Sequence, residues 1–322
     1  MQSFRIPKRI LVAIGGNATH PENIRGTSRE QKDIAANTAQ ALLPLALRDN
    51  ELVVTHGNGP VVGKILMRQA LTRGSIAPMP LDICVAHSQG GIAYLLVQAM
   101  ENALREAGSS RHVACLLTQV EVDPDDVAFK NPTKPIGTFY SRDEAASISQ
   151  DLGWTMREDS GRGWRHVVPS PNPQHICDVS LVQMLSRGGT VVVAAGGGGI
   201  PVVRGPKGVR HGVRAVIDKD LTSALMANVL EIRLMIILTA VHRVSINFGK
   251  PGQRELDLVT ARELRAYQTQ GHFPPGSMGP KVEAAMRFLD RGGERVIITH
   301  LETVEDALKG KTGTHVVRGE ES

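Results

Sequence analysis

Short, nearly continuous runs of apolar, often β-branched residues recur along almost the whole chain, and amphipathic stretches fill the spaces between them. Such runs fall at residues 9–14, 51–55, 112–119, 190–195, 215–217, 234–239 and 295–299. A strand that is apolar on both faces must be covered on both faces, the situation of a parallel sheet flanked by helices. Amphipathic spacing predicts the covering helices at 29–48, 61–72, 91–107, 176–186, 221–230, 261–270 and 280–291, with Pro280 in a first-turn position. The expected fold class is α/β, and 322 residues leave room for two lobes meeting at a cleft. Their division is expected after the glycine run near Ile200, with a single continuous sheet as the alternative arrangement.

One region breaks the rhythm. Between 123 and 173 lie Pro124, Pro132, Pro135, Pro169, Pro171 and Pro173, with Gly137, Gly153, Gly161 and Gly163 among them. This punctuation predicts an inserted excursion carrying one helix near 142–152. No fixed-period repeat or low-complexity tract is visible, which sets aside solenoids and arrays.

Composition narrows the partners. Hydrophobic residues at 41% and charged residues at 21% are ordinary for a globular protein. The apolar run after the basic N-terminus stops at Gly15-Gly16-Asn17, too short for a secretory segment, and the longest strongly apolar stretch, 235–241, falls well below the roughly 20 residues that cross a bilayer. Cys84, Cys115 and Cys177 show no CxxC spacing, so neither a disulfide framework nor a zinc site is expected, and a cytoplasmic protein is. A net charge of +5 with dispersed basic residues, and only 3% aromatics, argue against nucleic acid as the main partner.

Ligands of a parallel sheet bind outside the carboxyl ends of its strands, where loops and helix N-termini present free N–H groups. The glycines fall there: Gly15-Gly16-Asn17 after the first run, His56-Gly57-Asn58-Gly59 after the second, and Gly196–Gly199 after 190–195. One such loop is an ordinary turn; three at one sheet edge point to anion binding. Neither the GxxxxGK[ST] phosphate loop nor GxGxxG is present, so positive charge for phosphates must come from lysines elsewhere. Lys134, Lys219 and Lys281 stand in glycine- or proline-rich or carboxylate-bracketed contexts. Asp218 and Asp220 either cap a helix beginning at Leu221 or hold the ammonium of Lys219, which they bracket, at the mouth of the cleft.

Taken in order, these segments resemble carbamate kinases of the amino acid kinase family, nearly end to end. The resemblance is carried by Ala13–Ala18, His56-Gly57-Asn58-Gly59-Pro60, Met79-Pro80-Leu81-Asp82, Phe129–Gly137, Gly161-Arg162-Gly163-Trp164-Arg165, Gly196–Val203, Ala215–Asp220 and Gly271–Lys281. It implies a three-layer αβα sandwich with a mostly parallel central sheet. Residues 1–200 would form a lobe for carbamate or carbamoyl phosphate, including a protruding subdomain at about 125–172. Residues 201–322 would form the lobe for ATP or ADP. It also implies Mg²⁺ carried by the nucleotide without a direct protein ligand, and a homodimer.

By motif position, the resemblance implies that Lys134, Lys219 and Lys281 are the phosphoryl-transfer lysines and that Asp220 orients them. Gly15, Gly16, Asn17, Gly57, Asn58 and Gly59 would line the acceptor and phosphate side, with Gly197 and Gly198 at the junction of the two sites. Met278 would join Lys219, Asp220 and Lys281 on the nucleotide side. His87 and His242 stand where relatives more often carry Met and an acidic residue, so both are candidates to alter acceptor or nucleotide contacts. A kinase of the same fold acting on another small anion, and a silent nucleotide-binding regulator, remain the alternatives.

Overall fold

The computed structural model describes residues 4–16, 21, 24–159, 161–274 and 276–319. Its centre is an eight-stranded sheet in the order Leu258–Thr260, Thr314–Val317, Arg295–His300, Leu234–Thr239, Arg9–Ile14, Glu51–His56, Val191–Ala194 and Val113–Leu116. Every neighbouring pair is parallel except Arg295–His300 with Thr314–Val317. One sheet is therefore continuous across the chain, with strands from before Ile200 on one side and strands from after it on the other.

The strand alternation builds two cores. Leu11, Ala13, Val53, Val192, Met235 and Ile237 face one side, against residues of the helices Lys219–Val229 and Met278–Asp290. Ile10, Val12, Ile14, Leu52, Val54, Ile236 and Leu238 face the other, against the helices Ser28–Ala46 and Leu81–Glu106. Each large aliphatic side chain fully buried in this way contributes about 1.5–3 kcal/mol. Helix, sheet, helix is the three-layer αβα arrangement expected.

Several elements differ from the sequence expectation, each for a visible reason. The run 112–119 is not one strand: it ends at Leu116, breaks at 117–118, and resumes as Gln119–Val122 in a separate four-stranded sheet with Arg210–Gly212, Ile200–Arg204 and Pro173–Ile176. The run 215–217 is fully buried but joins no ladder; Val216 N–H donates to Pro169 O, and the segment delivers the chain to a helix. That helix starts at Lys219, two residues before the expected start, with Asp218 as its N-cap. The helix expected from residue 91 begins at Leu81, after Pro80 at the N-cap. Gly90 and Gly91 lie inside it; glycine there costs about 1 kcal/mol each, and burial of Cys84, Val85, Ser88 and Gln89 outweighs that cost. This 26-residue helix has the length and composition to cross a bilayer, yet it packs along Ser28–Ala46 and contributes Ile92, Leu96 and Met100 to the core.

The proline-rich excursion is a small antiparallel sheet, Lys134–Tyr140, Trp164–Val168 and Met156–Glu158, with the helix Arg142–Leu152 as expected. A capping box between Ser141 and Glu144 opens that helix, and Gly153 in the left-handed region closes it. The excursion docks on the helix Gly59–Thr72. Backbone meets backbone there: a Cβ on Gly63 would lie 2.1 Å from Gly137 Cα.

Candidate active site

The glycine loops converge at the carboxyl edge of the central sheet. Gly16, Gly57, Asn58, Gly59, Gly197, Lys134, Lys219, Asp220 and Lys281 line one cavity of about 210 Å³ there. Three helices of 14, 11 and 13 residues point their N-termini at it, beginning at Gly59, Lys219 and Met278. Free N–H groups and the positive ends of three helix dipoles meet in one place, an arrangement that favours an anion.

Lysine side chains strengthen that field. Lys219 Nζ lies 2.5 Å from Asp220 Oδ1, and Lys281 Nζ lies 3.4 Å from Asp220 Oδ2, so one buried carboxylate bridges two ammoniums. Lys281 Nζ also donates to Ser277 O at 3.3 Å. Lys134 arrives from the first residue of the excursion's sheet and pairs with Asp218 Oδ2 at 2.7 Å. Three ammoniums thus face two carboxylates, leaving positive charge for a ligand.

Burial shapes the charge states. Lys219 is held below its ordinary value chiefly by burial, countered by Asp220 and reinforced by neighbouring Lys281. Burial pushes the Asp218 carboxyl up, but Lys134, Lys281 and Lys219 outweigh it and hold the group well below the usual carboxylate range. Asp218 is the helix cap and more: Oδ1 accepts from the N–H groups of Asp220 and Leu221, while Oδ2 takes the distant Lys134, and the bracketed Lys219 pairs with Asp220. Asp220 is not the cap.

The remaining expected residues divide by role. Gly197, at φ 67°, lines the cavity, and a Cβ on it would lie 2.2 Å from Asn58 Nδ2. Asn58 in turn donates to Ser88 Oγ at 2.8 Å. Gly15 and Gly198 are not among the residues lining the cavity; a Cβ on them would lie 2.6 Å from Leu238 O and 2.4 Å from Ile217 O. Asn17 lies outside the described residues. Met278 packs against the core and lines neither cavity at the site. His87 is exposed on its helix; His242 is exposed, its ring 5.0 Å from that of His300, and neither lines these cavities.

Sequence reasoning gave no role to three residues at the site. Arg165 lines the small cavity, held by Asp159 Oδ2 at 3.2 Å and Gly137 O at 3.1 Å. Its motif was visible, but a pairing across the excursion's loops is not readable from spacing. Gln89 straps the glycine run, donating to Gly196 O and accepting from Thr118 N. His56 is fully buried; its Nδ1 lies 3.1 Å from Gly57 O, and its Nε2 has no hydrogen-bond partner among the described residues. A Cβ on Gly196 would lie 2.3 Å from that Nε2, and burial holds the imidazole down at about 4, with Lys219 adding to the shift.

A second cavity of about 510 Å³ adjoins the first, lined by Ser170, Leu221, Gln268, Phe273, Gly279 and Glu283. Lys134, Pro135, Asp218, Gly276 and Pro280 line both. A small, cationic chamber therefore opens beside a larger, more apolar one. Among the described residues, no group of three or more His, Cys, Asp or Glu side chains is placed to hold a metal ion.

Known proteins share this sequence and fold. The sequence pattern of the amino acid kinase family matches residues 8–300. The carbamate kinase of Thermococcus kodakarensis is 44% identical over 314 residues, 97% of this chain and 99% of that protein. The solved structure of Giardia lamblia carbamate kinase bound to citric acid superposes with a TM-score of 0.92 at 40% identity, over 97% of this chain and 99% of that one. The same Giardia enzyme bound to AMP-PNP superposes with a TM-score of 0.88, at the same identity and coverage. With fold, length and sequence all in agreement, the chain belongs to the amino acid kinase family and, within it, to the carbamate kinases.

Proposed function

We propose that the chain interconverts carbamoyl phosphate plus ADP with carbamate plus ATP by direct in-line transfer of the phosphoryl group across the small cavity. The observation that carries this reading is the set of three lysines, held by Asp218 and Asp220, at the meeting point of three helix N-termini. Carbamate already presents an anionic nucleophilic oxygen, so no general base is required. The barrier lies in bringing anions together and stabilising charge on the transferred group.

Residues 1–200, with Gly16, Gly57, Asn58 and Gly59, form the acceptor side in this reading, and residues 201–322 the nucleotide side. The larger cavity is of a size and character for a nucleoside, and the Giardia lamblia relative bound to AMP-PNP supports a nucleotide here. Its phosphates would then enter the small cavity past Lys219 and Lys281. Lys134, supplied by the excursion at about 125–172, meets the transferred group from the opposite wall and helps exclude water. Both carboxylates of the small cavity are engaged by lysines, which fits Mg²⁺ carried on the nucleotide's own phosphates. Bound with the nucleotide, the ion would supply charge neutralisation to its phosphates, alongside Lys219 and Lys281.

ATP formation from carbamoyl phosphate, ADP and Mg²⁺, with spontaneous carbamoyl phosphate decay subtracted, tests the reading. Acetyl phosphate is the competing donor. Preference for carbamoyl phosphate is expected; turnover with acetyl phosphate alone would move the assignment to another small anion.

A further inference from the structure

We infer that Asp218 is a positioning residue for the reaction, which fixes Lys134 on the wall between the two cavities; the inference rests on the lysine reading above. The geometry is specific. Asp218 is the N-cap of Lys219–Val229, so its backbone and its Oδ1 are anchored to a helix whose neighbouring residues are buried in the core. Only Oδ2 is left to reach outward, and it meets Lys134 Nζ at 2.7 Å.

Lys134 lies at the edge of a smaller cluster, where Ile136 and Val168 of its sheet are buried but its own side chain is not. It opens a strand of the excursion's own sheet, belongs to no core helix, and crosses 84 positions of sequence to reach Asp218. A flexible four-carbon stem gives an ammonium little placement by itself. Pairing with Asp218 uses one of its three N–H donors and leaves two for ligand oxygens. Both residues line both cavities, so this ion pair stands where a group passing between the chambers must go. Asp220, two residues further on, holds Lys219 and Lys281. Two carboxylates of one helix N-terminus thus hold all three lysines, and the cap expected from sequence is half of what Asp218 does.

Asparagine separates the two tasks, because its side-chain oxygen still caps the helix but its neutral amide does not hold an ammonium. Asp218→Asn, Lys134→Ala and the double variant are assayed for ATP formation, with melting temperature and ADP binding measured alongside. The expected result is a kcat loss of about tenfold or more in Asp218→Asn, with melting temperature and ADP binding close to the parent's. In the Lys134→Ala background, the same change should cost less than about twofold, because residues acting as a unit are not additive. A normal kcat in Asp218→Asn, or an equal loss in both backgrounds, overturns the inference while leaving Lys134 in place. Normal turnover in Lys134→Ala instead overturns the reading on which it rests. Should Asp218→Asn melt early, Asp218→Ser keeps the cap and is read in the same cycle.

Discussion

The two walls of the cavity are built differently. Lys219 and Lys281 stand on helices whose inner faces are part of the main core, and both share Asp220, 3% exposed. Lys134 stands on a half-exposed three-stranded sheet that reaches the site by docking Gly137 on Gly63. One wall is placed by the main core, the other by a smaller cluster, in which Ile136 and Val168 pack with Val62, Leu66 and Val85, together with the Gly63–Gly137 approach and an ion pair. Charge density at the site therefore depends on the core for two lysines and on docking for the third.

Removing the carboxylate of the core wall should have the largest effect. Asp220→Ala leaves two lysines, one of them buried, without their anchor, so its kcat loss should exceed the roughly 10²–10³-fold seen when one preorganised charge donor is removed. Breaking a buried ion pair also costs about 3–5 kcal/mol of stability, so thermal melting should fall as well. Asp220→Asn keeps a hydrogen-bond acceptor and should hurt less; equal losses in kcat would count against an orienting role.

The docking wall is broken by Gly63→Ala. Its Cβ would meet Gly137 backbone at 2.1 Å, so the excursion has to move away. Overpacking of this kind costs about 1–3 kcal/mol, and a shift near 1 Å in Lys134 can cost up to about a hundredfold in rate. We expect about a tenfold loss of kcat with a smaller change in ADP affinity, since Leu221, Gln268, Phe273, Gly279 and Glu283 of the larger cavity stay in place. Unchanged turnover would show that docking at Gly63 does not place Lys134.

A smaller effect sharpens the account of the core wall. His56 lies folded and neutral, with its imidazole lowered to about 4 from an ordinary value near 6.5. Above pH 6.5 both folded and unfolded chains carry it neutral, and it adds no pH dependence. As pH falls from 6.5 to 4 the unfolded state binds a proton that the folded state refuses, so stability is lost across that window, by about 3 kcal/mol in total. His56→Gln should reduce the acid-side slope of stability, measured by denaturant melts between pH 4 and 6.5. An unchanged slope would leave the effect to other groups such as His166, also lowered to about 4 by burial.

Much of this framework was readable in advance because its signals are local. The strands Arg9–Ile14 and Leu234–Thr239 and the helix Arg142–Leu152 stand where periodicity and punctuation put them. The segment 215–217 misled because burial alone looks the same whether a chain pairs in a ladder or lies across a helix end. The lysines and Asp220 were visible as charged residues in unusual contexts, and the structure brings them together. Arg165, Gln89 and the outward reach of Asp218 were not, because each depends on a contact between segments far apart in sequence. Met278, given a nucleotide role by its motif, is partly buried against the core at the start of its helix.

The most direct test is Lys219→Ala beside the parent enzyme, assayed for ATP formation from carbamoyl phosphate and ADP with ADP binding measured in parallel. A kcat lowered by about 10²-fold or more, with ADP still bound, is the result this account predicts. Near-normal kcat in the variant would contradict it, because a cavity organised around these lysines cannot lose the most buried of them and still stabilise the transferred phosphoryl group.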